Sequence, residues 1–429
     1  MMKKVLFFIS FLFMFFGFGC IFLYIYVDFN PKSISVLDVS YKDKKFVIKL
    51  GNASDNVYCS LSLGDKKKWN KVENGVCNYK VDDFGNYKLY IKAYDKVFLN
   101  DEINKVFDVS FYKNEYYLAV SDSSLIDVKV LGIGNYDVSY EGYDSGIISI
   151  NENRIYAKKK GSTKINVYNR DIKVVVTDLI DKMPNKYDYS RKYLSCGAFS
   201  KDEEKLLDKI LESRVRDAGF GTRAGVVAAA RFLTLEFPYR ISYFSENGRL
   251  TNYNSVDGEG RFYHKGLYLT SDKYSLLFYI DKGPKPWGCY MYSRPSKGMR
   301  ANGLDCSGFT TWVLYNGGFD IGDFGAHGKR DELDLNSFGD EVKLNYDVSV
   351  SDKIKAGDLL GEVSVSEGHS AIVVGVDKNN YYVAESLWIS PLGVNVNTYK
   401  KSSLYKHFET VNLMDSYYKK DGNYKSMWY

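Results

Sequence analysis

Leu304-Asp305-Cys306-Ser307-Gly308-Phe309-Thr310-Thr311-Trp312 is the stretch on which the reading of this chain turns. Phe309, Trp312 and Val313 recur at helical spacing and Gly317-Gly318 closes the run, so the segment predicts a helix with Cys306 at its start. A free cysteine thiol has a pKa of about 8.5, and unpaired N–H groups at a helix start favour the thiolate, the form that attacks carbonyls. Asp305 opposes this as a neighbouring negative charge unless it caps the helix or holds a loop. Taken alone, the stretch fits two readings equally well. One is a nucleophile; the other is a buried structural cysteine of the kind common in protein cores.

A nucleophilic cysteine needs a base, and the base needs a third polar group to hold it. Of the four histidines, His369 is the best candidate, because it opens an apolar strand after Glu367-Gly368. His264, His327 and His407 lie in polar surroundings and read as surface or loop residues. Asp377-Lys378-Asn379-Asn380 is a hairpin signature, and the returning strand carries Glu385 within Val383-Ala384-Glu385-Ser386. A carboxylate between apolar neighbours needs a reason, and orienting His369 would be one. An even number of residues separates the two, so they share a sheet face if a three-residue loop sets an even register. A two- or four-residue loop without a bulge puts them on opposite faces.

Outward from this site, 429 residues exceed a single core and suggest roughly three domains. The net charge of +5 gives no basis for a nucleic-acid partner. Tyrosine is abundant, at 38 residues, and alternates with Lys, Asp and Asn, a pattern of strands with wet faces. Residues 5–27 carry no charge and follow Lys3-Lys4, which predicts a cytoplasmic tip and single-pass membrane anchor over 1–28, with the rest outside the cell. A cleaved signal peptide is the alternative. Of six cysteines, Cys20 falls in this segment, Cys59 can pair with Cys77 and Cys196 with Cys289, which leaves Cys306 without a partner.

The expected fold class is therefore multidomain. A transmembrane helix is followed by two all-β immunoglobulin-like sandwiches over 29–110 and 111–180, a linker over 181–198, and an α+β domain over 199–429. Ser200 to Glu203 is a capping box before one apolar-periodic run, and Thr222 starts a second that Phe237-Pro238 stops. Ser145 to Asn151, Arg154 to Lys158 and Lys160 to Val167 lead into a strand from Ile172 to Val176. This pattern resembles the bacterial immunoglobulin-like group 2 domain, which implies a spacer role. Residues 244–300 are rich in Gly, Tyr and Ser and have no clear periodicity.

Asp305-Cys306-Ser307-Gly308-Phe309, Ala356-Gly357-Asp358-Leu359 and Gly368-His369-Ser370-Ala371-Ile372-Val373-Val374-Gly375 occur in that order. Together they resemble the motifs of the NlpC family of papain-like cell-wall cysteine peptidases, over about residues 200–410. The resemblance implies a papain-like fold with Cys306 as nucleophile, His369 as base and Glu385 as third polar residue, a position more often His, Asn or Gln in that family. It also implies that Tyr239, after Pro238, helps shape the site and that Asp305 and Ser307 lie beside the substrate. Pro286-Trp287 within the 244–300 insertion is a rival for the Tyr239 motif. The implied substrate is peptidoglycan, cut between D-γ-glutamate and the diamino acid of the stem peptide, with no metal or organic cofactor. The alternatives are an N-acetylmuramoyl-L-alanine amidase and a surface adhesion or scaffold protein that keeps the domain for binding only.

Overall fold

The structure is a computed structural model. It describes residues 34–243 and 303–426, apart from 43–44, 54–55, 63–66, 81–87, 94–95, 100–107, 132–137, 168–169, 185, 194–198, 322–334, 336–337, 364–367 and 390–392. The chain divides into two compact units. The first comprises Met1–Tyr116, Ser123–Tyr156 and Ser162–Val174, and the second Tyr117–Asp122, Ala157–Gly161 and Val175–Tyr429.

In the first unit, the strands Ser35–Lys42, Lys45–Gly51 and Val76–Lys80 form one antiparallel sheet. Asn70–Lys71, Val57–Ser62, Lys88–Ala93 and Lys96–Leu99 form another. Alternation along the strands sends Phe46, Ile48 and Leu50 inward from one sheet, and Val57, Cys59, Leu61, Leu89 and Ile91 inward from the other, into one core. A Cys59–Cys77 disulfide joins the two sheets within that core. The proposed partners Cys196 and Cys289, like Cys20, lie outside the described residues.

In the second unit, three helices pack on a sheet. They are α1 (Lys201–Ala218), α2 (Arg223–Arg231) and α3 (Cys306–Gly317). Ser200 and Glu203 close a reciprocal capping box on α1, which buries Leu207, Ile210, Leu211 and Val215. Thr222 caps α2, which runs on into a π-helical turn, Phe232–Glu236. A β-carbon on Gly317 would lie 2.6 Å from the Val226 side chain, so α2 and α3 meet at a distance only glycine permits. Phe309, Val313 and Leu314 of α3 are fully buried, worth about 1.5–3 kcal/mol each.

The sheet consists of β1 (Asp340–Lys343), β2 (Leu359–Val363), β3 (Gly368–Val376), β4 (Asn380–Leu387), β5 (Gly393–Lys400) and β6 (Thr410–Leu413). They are antiparallel throughout, in the order β1-β6-β2-β3-β4-β5. Residues 320–350 contain β1 and the short helix Tyr346–Val350.

These observations correct the expected fold class. The described residues are mostly strand with few helices, and the C-terminal region is dominated by its six antiparallel strands rather than organised as the expected papain-like α+β domain. The expected cell-membrane address with a single-pass anchor is corrected as well, because no described helix is long and apolar enough to cross a membrane. The longest one shows why: α1 has 18 residues but is studded with charge and keeps only a narrow apolar stripe. Residues 5–27 themselves lie outside the described part.

Candidate active site

Asp305 is the N-cap of α3, and its side chain accepts a 2.7 Å hydrogen bond from the Gly308 N–H. The carboxylate whose charge would oppose a thiolate is thus committed to the helix start. Ser307 is buried and directs its hydroxyl to Asp305 at 3.4 Å, so both residues build the turn that presents Cys306. Cys306 is the free cysteine among the described residues, 8 % exposed, with its Sγ 3.8 Å from the Gly368 carbonyl. One helical turn on, Thr310 Oγ1 lies 3.3 Å from Ser370 Oγ, which ties α3 to β3 on the far side of His369.

His369 Nε2 lies 2.7 Å from Glu385 Oε2. That leaves Nδ1 as the ring nitrogen for the thiol, and Cys306 lies close enough to act on the charge of the imidazole. Burial disfavours the charged ring, but the interactions with Cys306 and Glu385 outweigh it, and the His369 pKa is pushed up to about 10. Phe408 stacks over the ring at 6.1 Å between centroids and limits its rotation. The raised pKa favours the protonated ring, and a protonated ring can give its proton to a leaving group.

Glu385 is 1 % exposed and fully engaged. Its Oε1 accepts hydrogen bonds from Asn397 Nδ2 at 2.8 Å and the Tyr399 hydroxyl at 2.7 Å. Burial, then the Glu385 charge, push the Tyr399 hydroxyl well above its ordinary pKa, so it stays a donor. The placement of Glu385 beside His369 depends on one irregularity. Val376 pairs with Tyr381 around a four-residue loop, a register that would separate the two faces, but a bulge between Val373 and Gly375 shifts the pairing so that Ala371 faces Glu385.

Cys306, His369 and Glu385 thus come together, whereas Tyr239 sits with Phe199 and Phe237 in an aromatic cluster, at centroid distances of 5.9 and 5.8 Å. The backbone after it does lead to the site: Ile241 O accepts from Val394 N at 2.9 Å and Ser242 O from Leu304 N at 3.1 Å. The 244–300 insertion with Pro286-Trp287 lies outside the described residues. Asn397, Tyr399 and Phe408 escaped the sequence reading. A signal for the first two existed, because Asn395, Asn397 and Tyr399 alternate with Val394 and Val396 along β5. No protein-family model matches this chain, and no curated protein matches it.

Proposed function

We propose that the protein is a cysteine peptidase that hydrolyses amide bonds in peptidoglycan stem peptides, of the D-γ-glutamyl-diamino acid endopeptidase type. The observation that carries this reading is the buried Glu385 carboxylate bonded to His369, with Cys306 beside that histidine at the start of α3. The Cys306 thiolate attacks the scissile carbonyl carbon, and the oxyanion is met by N–H groups at the helix start, including that of Cys306. His369 gives its proton to the departing amine as the C–N bond breaks and the thioester forms. The neutral ring then takes a proton from water, whose oxygen attacks the thioester and releases the carboxylate and Cys306. Glu385 stabilises the imidazolium without accepting its proton. The likeness of the three motifs to those of the NlpC family supports the choice of substrate.

Digestion of purified peptidoglycan by the chain and by Cys306→Ala, with fragments identified by mass spectrometry, tests the reading. The expected result is release of stem-peptide fragments by the wild type alone. Equal release by Cys306→Ala, or none by either, removes the proposal, and the termini of the fragments distinguish the endopeptidase from an amidase.

A further inference from the structure

Residues 181–198 read as a linker in sequence, yet the part of this segment around Tyr189 is bound closely to the sheet that carries the site. The Tyr187 hydroxyl donates to the Val394 carbonyl at 3.1 Å. The Tyr189 hydroxyl lies 2.8 Å from the Val396 carbonyl and 2.7 Å from Asn397 Oδ1. Just beyond, Arg191 is held by the carbonyls of Thr234, Leu235 and Phe237 at the π-helical turn and by Asp181. Tyr189 is thus pinned from both sides against β5.

The bonds from Tyr189 inward have a direction. Glu385 Oε1 can only accept, so the Asn397 amide must turn its NH₂ toward it. That turns Asn397 Oδ1 the other way, where it needs a donor, and the Tyr189 hydroxyl offers its one proton there, shared with the Val396 carbonyl. We propose that Tyr189 is a positioning residue for His369, acting through the Asn397 amide and the Glu385 carboxylate. This rests on the reading of Cys306 and His369 as nucleophile and base. Without the hydroxyl, Asn397 Oδ1 loses a donor that helps hold the amide against Glu385, and Glu385 keeps Tyr399 as a well-oriented donor on that oxygen. The effect of losing Tyr189 is therefore partial. Since Tyr189 is 47 % exposed, the chain of bonds runs from the protein surface to the base.

The test follows the His369 imidazole by NMR in the full chain carrying ¹³C-labelled histidine, with His369→Asn assigning its signal among the four. Tyr189→Phe is expected to make the ring roughly three- to tenfold easier to deprotonate, the size of one weakened hydrogen bond. Asn397→Leu moves the midpoint the same way, and the double variant goes no further than Asn397→Leu alone. Tyr187→Phe removes a docking bond to the same strand and leaves the midpoint in place. An unmoved midpoint in Tyr189→Phe, an equal shift in Tyr187→Phe, or additive effects in the double variant overturns the proposal. The titration needs no substrate, so it stands or falls separately from peptidoglycan cleavage by the wild type, which decides the peptidase reading.

Discussion

Asp358 and Glu385 are equally buried carboxylates, each 1 % exposed, on the same sheet or its entrance, yet their surroundings differ in kind. Asp358 meets a permanent cation: its Oδ1 lies 2.8 Å from Arg223 Nη1 and accepts the Met414 N–H at 2.9 Å, while Oδ2 accepts the Lys355 N–H at 2.8 Å. Arg223 is itself 1 % exposed and bonds the Ala356 carbonyl and Asp415, so it clamps α2 to the turn before β2 and to the C-terminal segment. Gly357 in that turn has φ +96 and faces the Arg223 side chain, where a β-carbon would be crowded as well as strained. Glu385, by contrast, is held by two neutral donors and a ring that can release its proton. A buried carboxylate with a fixed charge partner is a structural device, and one with a titratable partner can do chemistry.

The largest expected effect that sharpens this contrast is on activity. Glu385→Gln should lower peptidoglycan cleavage by on the order of 10²- to 10⁴-fold, as loss of the orienting carboxylate does in comparable triads. Next comes Asp358→Ala, which leaves the Arg223 charge buried and should cost about 3–5 kcal/mol in urea unfolding of the second unit. If Asp358→Ala lowered cleavage while leaving stability intact, the division of roles would break. The third effect is the pH dependence of stability. The folded His369 pKa of about 10 lies above its ordinary value of 6.5, so its contribution is complete below pH 6.5 and fades as pH rises through 10. The stability difference between the wild type and His369→Asn should therefore shrink across that window in thermal unfolding, and a constant difference would show that the ring is not held as an imidazolium.

Much of the local structure was legible. The capping residues Ser200 and Thr222 marked helix starts because their short polar side chains satisfy N–H groups that any helix leaves unpaired. The run from Gly368 to Val376 and its return read as strands from apolar content and turn residues alone. Strands β1 and β5 were not anticipated, since Asp340–Lys343 has no apolar alternation and the asparagines of Gly393–Lys400 resemble a loop. The apolar run over 5–27 suggested an anchor from composition only, and the described structure offers no helix of that kind.

Sequence by itself determined which groups could do chemistry: a thiol at a helix start, a histidine at a strand start and a carboxylate where none is expected. It also determined the even spacing between His369 and Glu385. Only the tertiary structure decided that the spacing counts, because side-chain direction in a sheet follows the parity of the register. The four-residue loop sets the wrong parity, and the bulge at Val373–Gly375 restores it. The structure likewise decided what holds Glu385, since Asn397, Tyr399 and, through Asn397, Tyr189 reach it by strand pairing and by docking of a distant segment. The Tyr189 contact is between residues far apart in the chain, and no local pattern encodes it.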